Sequence, residues 1–303
     1  MLRNVHDVDI KLLRVFYAIY EHGGFTQAQL ALGISQANIS AKMSKLEGRL
    51  GARLCERGAS GFKLTEDGET IITAAKRLFS ALDEFQDISS SLGGELTGTL
   101  NLGIIDNAIS NSNSHVDVAI ANFIESAPSV NLNITIGDPS ELESKLLDGS
   151  LHVAIGLFNQ TNISLEYKKL YSSQHALFCG SKHEFFNLDD SEITDLEIAN
   201  SRCIDRGYLE SIKDLRLDLN LHTEKSNSHY NIEGVALLVL SGRYIANLPV
   251  HFTLPWTRSG KMRILKPEST MANVDILAVY KAGKSLSKVT EHFISELALS
   301  HSL

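Results

Sequence analysis

The sequence predicts an α/β protein with an N-terminal winged helix-turn-helix, a long linker helix and two Rossmann-like α/β subdomains. Three observations carry this. Three short helical periods and a small hairpin pattern fill residues 1–65. One apolar stripe, spaced alternately by four and three, then runs from Ile71 to Leu92. Beyond it, strand-like and helix-like segments alternate to the end of the 303 residues, a length that asks for two or three cores. The expected boundaries are 1–65, 66–93 and 94–303, the last divided into subdomain I (94–160 and 268–303) and subdomain II (161–267).

The first helix is expected to bury Ile10, Leu13, Phe16, Tyr17 and Tyr20, and to stop at His22-Gly23-Gly24. A second is expected to begin with Thr26 as cap and Gln29 closing a capping box, with Phe25 and Leu30 as a hydrophobic staple. Ser35 caps a third, stapled by Ile34 and Ile39. Its face of Ile39, Met43, Leu46 and Leu50 turns inward, and Gln36, Asn38, Ser40, Lys42 and Lys45 turn outward. Residues 54–57 and 62–64 form a hairpin around a glycine turn, a small wing.

Two helices joined by a tight turn, the second offering amides, hydroxyls and ammonium groups, suit a major groove. Gln and Asn pair with adenine edges, and Lys and Ser meet guanine or phosphate. The candidate DNA contacts are Thr26, Gln27, Ser35, Gln36, Asn38, Ser40, Lys42, Lys45, Arg53, Arg57 and Lys63. A generic three-helix domain with a solvated polar face fits the same pattern. Charge separates the two readings. The whole chain is −8, but residues 1–65 hold nine Lys and Arg against five Asp and Glu, a net +4, and the remaining 238 residues sum to −12. A basic head on an acidic body suits a head that meets phosphates.

Thr65 caps the linker helix, and Glu66, Asp67 and Glu69 favour its first turn. The stripe of Ile71, Ala75, Leu78, Leu82, Phe85, Ile88 and Leu92 approaches a heptad seam, closed by Gly93-Gly94. Ile71, Leu78, Leu82 and Phe85 are the candidate dimerisation residues; packing on the chain's own domain is the alternative.

In the body, strands are expected at 100–105, 130–136 and 151–157, with helices at 115–126 and 141–147 between them, a parallel βαβαβ unit. A second unit has strands at 165–180, 203–205 and 243–249 and a helix at 228–240. A strand at 271–280 and a helix at 287–299 return to the first sheet. The chain is expected to cross between units near 158–164 and 266–270, enclosing a cleft. Ligands in such sheets sit beyond the carboxyl ends of strands. This nominates Asp106, Asn107 and Ser110 in one polar loop, and Asp138 and Ser140 in another, where Asp138-Pro139-Ser140-Glu141 also reads as a plain helix cap.

The order and spacing of LLRVF at 12–16, GFTQA at 24–28, ISQ at 34–36, IS at 39–40, KLE at 45–47, LG at 50–51, RLCER at 53–57 and LTEDG at 64–68 resemble the LysR-type regulators over residues 8–67. Departures fall on the third helix. Ala37 and Asn38 stand where that family has Pro and Ala, and Ala41 where it often has Arg. Cys55 replaces a customary Phe and is expected in the core. The resemblance implies dimerisation through the linker helix, often with assembly to tetramers. It also implies a body of periplasmic-binding-protein type, with effector in the cleft. Matches there are sparser, at 98–100, 147–149, 234–236 and 245–249. Many relatives bind carboxylates near the turn that holds Asp138, whose charge would repel one. Cys203 resembles the position of the reactive cysteine in peroxide-sensing relatives, without their second cysteine, and Arg202 and Arg206 flank it. Cys203, Asn227 and Ser228 complete the candidate effector contacts.

The three cysteines, 55, 179 and 203, form no regular framework. His115, His152, His175 and His183 show no paired spacing, and no HExxH, GxSxG or phosphate-cradling glycine run occurs. No metal, cofactor or catalysis is expected. Apolar runs such as 235–240 are too short for a bilayer, and residues 1–9 lack a signal-peptide core, so a cytoplasmic location is expected. The function these features favour is a DNA-binding transcriptional regulator controlled by a small-molecule effector. Its expected partners are double-stranded DNA, the effector, copies of itself as homodimer or homotetramer, and RNA polymerase. The alternatives are a redox-responsive regulator acting through Cys203, and a solute-binding protein without regulation.

Overall fold

The computed structural model describes residues 4–58, 61–90, 95–204, 223–224, 231–283 and 286–302. It divides into two compact units, residues 1–85 with 148–150, and the rest.

In the first unit, α1 (Asp7–Glu21), α2 (Phe25–Leu32) and α3 (Gln36–Leu50) enclose one core with a hairpin of β1 (Cys55–Gly58) and β2 (Gly61–Leu64). The buried face of α1 is Leu12, Val15, Phe16 and Ile19, turned from the expected one. Ile10, Leu13 and Tyr17 lie half-buried at its flank and Tyr20 is exposed. The flanking rings serve α4 (Glu66–Ser90): Tyr17 meets Phe79 edge-on at 5.8 Å.

Helix α2 starts one residue before its expected beginning. Gly24 is its N-cap at φ 150°, a backbone shape only glycine adopts freely, and Thr26 falls inside the first turn. Phe25 is buried but Leu30 is 82% exposed, so the expected staple does not form. Ser35 does cap α3, accepting from the Asn38 N–H at 3.3 Å, and Cys55 is buried. In the wing Glu56 lies opposite Lys63 and Arg57 opposite Phe62.

Thr65 accepts from the Gly68 N–H at 3.0 Å at the start of α4, and donates its own hydroxyl proton to the Arg53 carbonyl at 2.6 Å. Ile72 is buried in the head core, Ile71 packs against it, and Ala75 is buried one turn on. The first turns of α4 thus bury their apolar face on their own domain. The expected stop at Gly93-Gly94 lies outside the described residues.

The second unit holds, among the described residues, one mixed sheet of nine strands. Strands β3 (Gly98–Ile104), β4 (Val130–Ile136) and β5 (Val153–Gly156) are parallel, linked by α5 (Val116–Ser126) and α6 (Pro139–Asp148), as the alternation predicts. The long β6 (Leu165–Gly180) follows. Next come α7 (Asp195–Asn200), β7 (Cys203–Ile204), β8 (Thr223–Glu224), α8 (Ile232–Leu240), β9 (Ile245–Pro249) and α9 (Val250–Arg258). Then come β10 (Met262–Ile264), α10 (Pro267–Thr270), β11 (Ala272–Lys281) and α11 (Lys288–Ser300). Strand β11 returns antiparallel between β5 and β6.

Leu165, Leu170 and Tyr171 of β6 belong to the core of the first lobe, with Phe123, Phe293 and Val279. Further along, Ala176 and Phe178 face α8 and Leu177 and Cys179 face the opposite layer. The chain therefore passes between lobes inside β6, at residues 172–175, and not in the preceding loop at 158–164. Phe158 is buried in the first core. A strand can make this passage because its backbone hydrogen bonds are already met by sheet neighbours.

A methyl added at Gly68 would lie 2.0 Å from the Leu54 carbonyl oxygen. Helix propensity alone favours Ala over Gly by about 1 kcal/mol, but overpacking costs about 1–3 kcal/mol. The clash involves backbone that cannot swing aside. Gly68→Ala is expected to lower the denaturant midpoint of the head's unfolding, measured by circular dichroism.

Candidate nucleic-acid interface and effector pocket

The outward face of α3 is set by what pins its inward face. Ile39, Met43 and Leu46 are fully buried against α1 and α2. At the far end, Arg49 reaches back to Asp9 of α1, its Nε and Nη2 both donating to the carboxylate, the latter at 2.7 Å. Asp9 is 1% exposed and also accepts from the His6 N–H at 2.9 Å, closing the start of α1. The hydrogen bond from Arg49 holds the Asp9 carboxyl below the usual carboxylate range, against the opposing effect of burial. Glu47, two residues before Arg49 on α3, accepts from the Leu54 N–H at 2.9 Å and ties α3 to the base of the wing.

With that face fixed, Gln36, Asn38 and Lys45 are exposed on α3, with Ser40 and Lys42 half-buried beside them. Ser35 at the N-cap, Thr26 and Gln27 in the first turn of α2, and Arg53 and Lys63 around the wing are also exposed. The Arg57 backbone lies in the hairpin; its side chain lies outside the described residues. On α4, Leu78 and Leu82 are half-buried and Phe85 is 68% exposed. The Asp9–Arg49 and Glu47 contacts carry no periodic signal and were not legible in the sequence.

In the body, a pocket with about 280 Å³ of empty space, its mouth included, opens where β6 passes between lobes. Asn107 and Asn111 enter from the segment after β3, Tyr171, Ser173 and His175 from β6, and His251 from the start of α9. Ile105, Leu157, Pro249 and Ile276 supply apolar wall. Two hydrogen bonds cross from the first lobe to the second beside it. Asp106 accepts from the Ile232 N–H at 2.8 Å, at the first residue of α8. The Ser110 hydroxyl lies 2.9 Å from His251 Nδ1. Ser110 gives its own proton to the Asn107 carbonyl at 3.1 Å, so Nδ1 of His251 is the donor and Nε2 an acceptor. Burial holds the His251 imidazole below its usual value, which keeps it neutral at pH 7.

Of the nominated effector residues, Asn107 lines this pocket and Asp106 and Ser110 sit beside it in the cross-lobe bonds. Asp138 does not reach it; its carboxylate caps α6 by accepting from the Glu141 N–H at 2.9 Å, and Ser140 is exposed in the same turn. Cys203 is 3% exposed and packs among Leu177, Ile198 and Ile245 in the other layer of the second lobe, away from the pocket lining. Arg202 lies 5.8 Å from the Tyr244 ring. Asn227, Ser228 and Arg206 lie outside the described residues. Tyr171, Ser173, His175 and His251 carry no loop signal in the sequence, since they sit inside a strand and on a helix that the sequence does not announce. Among the described residues no cluster of His, Cys, Asp or Glu could hold a metal, and no helix is long and apolar enough to cross a membrane.

Residues 10–69 match the bacterial regulatory helix-turn-helix proteins of the lysR family, and residues 93–300 match the LysR substrate binding domain. The HTH-type transcriptional activator BauR of Pseudomonas aeruginosa is 34% identical over 299 residues, 99% of this chain and 97% of BauR. The HTH-type transcriptional activator CmpR of Synechocystis is 22% identical, over 93% of this chain and 92% of its own. Among solved structures, CbnR, a LysR family transcriptional regulator, superposes with a TM-score of 0.64 at 18% identity. That match covers 96% of this chain and 99% of CbnR. A full-length OxyR variant from Pseudomonas aeruginosa gives 0.61 at 19% identity, over 99% and 96%. At these identities the structures report on the fold alone.

Since the folded Asp9 carboxyl titrates below its unfolded value near 3.9, its contribution to head stability is complete above that value. It is lost as pH falls through the folded one. Asp9→Asn removes this titration and strands Arg49. Urea midpoints of the head measured between pH 7 and 3 are expected to be lower for Asp9→Asn at neutral pH, with the two proteins converging toward acid.

Proposed function

Because the chain belongs to the LysR family of bacterial transcriptional regulators, we propose a division of labour for its parts that starts from the exposed face of α3. That face enters the major groove, where Gln36 and Asn38 read base edges and Lys45 and Lys42 meet bases or phosphates. Thr26, Gln27 and Ser35 stand at helix starts, whose unbonded N–H groups favour phosphate. Arg53, Arg57 and Lys63 hold the wing against the backbone and carry no sequence information. The single observation supporting this is the polarity of α3: fully buried hydrophobes on one side, exposed amides and an ammonium on the other. Ala37, Asn38 and Ala41 give the reading face a chemistry of its own, so its preferred sequence differs from that of family members with Pro, Ala and Arg there.

Leu78, Leu82 and Phe85 of α4 form the seam between two copies in a homodimer, which doubles the DNA contacts and fixes half-site spacing; pairs of dimers give a tetramer. Ile71 contributes to its own head and not to that seam. The regulator acts in the cytoplasm by changing access of RNA polymerase to the promoter, and has no catalytic step. A small molecule bound between the lobes shifts the balance of two states by binding them unequally. Burial of Cys203 favours this over thiol chemistry, since reactive thiols are exposed and acidic.

Footprinting of the purified chain on genomic fragments is expected to show a protected two-fold site whose affinity falls steeply with salt. Binding no tighter than to bulk DNA would refute the reading. Gln36→Ala is expected to relax the preference at one base position, with about 1–3 kcal/mol of discrimination lost. Lys45→Ala is expected to weaken all sequences alike if its contact is to phosphate, and to reduce the slope of log affinity against log salt by about one. Both are read by fluorescence anisotropy on matched and single-mismatch duplexes.

A further inference from the structure

Helix α4 has two working faces. At about 100° per residue, Ile72, Ala75, Phe79 and Asp83 share one face, which turns to the head. Leu78, Leu82 and Phe85 share the next, roughly a quarter turn round the axis. Ile72 sits in the head core and Ala75 is buried. Past Ala75, rings and cations carry the contact. Phe79 lies edge-on to Tyr17 of α1, with ring centroids 5.8 Å apart at 78°. The Arg14 guanidinium, also on α1, lies over the Phe79 ring, 5.1 Å from its centroid. In return, Lys76 of α4 places its ammonium 5.2 Å from the centroid of the Tyr20 ring. Each helix thus lends a cation to a ring of the other. The Arg14 charge also favours the ionised form of Asp83, one turn beyond Phe79.

The spacing of these contacts gives them a mechanical meaning. A rod held at one point pivots, and a rod held at two does not. Phe79 stands two helical turns beyond Ile72, about 10 Å along the axis. A change of about 2 Å in the approach of α4 to α1 at Phe79 therefore tilts the helix by roughly 10°. A domain of the head's size reaches about 20 Å from the joint. That tilt moves α3 by about 3 Å, close to the rise of one base pair. The separation of two paired heads is thus sensitive to this joint in steps of whole base pairs.

We propose that the interlock of Arg14, Tyr17 and Phe79 sets which separation of DNA half-sites the protein accepts, although none of the three belongs to the DNA-contacting set. This rests on the pairing of two copies through Leu78, Leu82 and Phe85, and adds the residues that fix each head to that seam. They are positioning residues: base preference lies on α3, and spacing preference lies at the joint of α1 with α4. Rings suit the task because their edge-on contact is directional, whereas aliphatic contacts slide. Lys76 is left out of the assignment because its ammonium also bonds Asp148, in the same compact unit, at 3.2 Å.

The test uses the full chain and the half-site found by footprinting. One duplex pool carries that half-site twice, at every separation across about one helical turn, roughly 10 base pairs. A second pool randomises the half-site at the parent's best separation. Bound duplexes are counted by sequencing. The parent is expected to select a narrow range of separations. Phe79→Leu is expected to shift or widen that range by about one base pair while keeping the half-site sequence. Phe79→Tyr keeps the ring and is expected to keep the parent's range. Gln36→Ala is expected to do the reverse, with an altered half-site at an unchanged separation. A Phe79→Leu profile that matches the parent's, even with weaker binding throughout, overturns the proposal. So does an equal shift in Phe79→Tyr, or a changed half-site in Phe79→Leu. Should Phe79→Leu bind no duplex, Arg14→Gln decides, since that side chain is exposed and its loss leaves the core intact; an unmoved range there overturns the proposal. A parent with no preference for separation refutes the paired-head reading, and the proposal falls with it. A parent with a sharp preference that the variants leave unmoved removes the proposal alone.

Discussion

Strand β6 bears two hydrophobic cores on one backbone, and the body of the molecule is organised around that fact. Its first half contributes to the core between α5 and α11, and its second half is buried on both faces against α8 and α7. The sheet is continuous from β4 to β8, so the division into lobes is a break in side-chain packing and not in the hydrogen-bond ladder. At the break, residues 172–175 read Ser-Ser-Gln-His, polar where the flanks are apolar. Ser172 finds Asp275 on β11 at 2.8 Å. Among the described residues the Ser173 hydroxyl has no partner, and Ser173 and His175 line the pocket. This polar stretch belongs to neither hydrophobic cluster, and the pocket opens beside it.

The head is held by a different device. Its core is small, and α3 packs into it through Ile39, Met43 and Leu46, with Leu50 at the edge, which sets its inward face but leaves its exact roll angle to polar contacts. The Asp9–Arg49 pair fixes that angle, because a planar guanidinium bonded through two nitrogens tolerates little rotation. The apolar residues decide which face of α3 is hidden, and the ion pair decides how it is aimed.

Much of this was legible in the chain itself. The α3 cap at Ser35, the hairpin, the start of α4 at Thr65 and the βαβαβ order follow from local signals that tertiary packing did not override. Other elements were not legible, for identifiable reasons. The α1 stripe can be drawn through 10-13-17-20 or 12-15-16-19, and periodicity alone does not rank them when aromatic residues sit on the flank. Helix α9 carries Pro255 within it, so its residues read as a breaker-containing loop. Thr26 has the chemistry of a cap, but Gly24 takes that place because only glycine adopts its backbone angle without strain. The pocket residues on β6 were invisible as a group because they are near in sequence yet look like ordinary strand, and His251 reaches them from about 75 residues away.

The continuity of β6 has a further consequence for how such a chain can change its length. Successive side chains alternate between faces, so the parity of the count between Tyr171 and Ala176 decides which layer Ala176 and Phe178 enter. One residue gained or lost in 172–175 would send Phe178 to the layer of Cys179 and the thiol to the layer of Phe178. It would also break the pairing with β9 and β11 at once. Substitution in this joint is open, but insertion and deletion are closed unless they come in twos. A lineage that explores new ligands here can do so by exchanging side chains, and not by lengthening the passage.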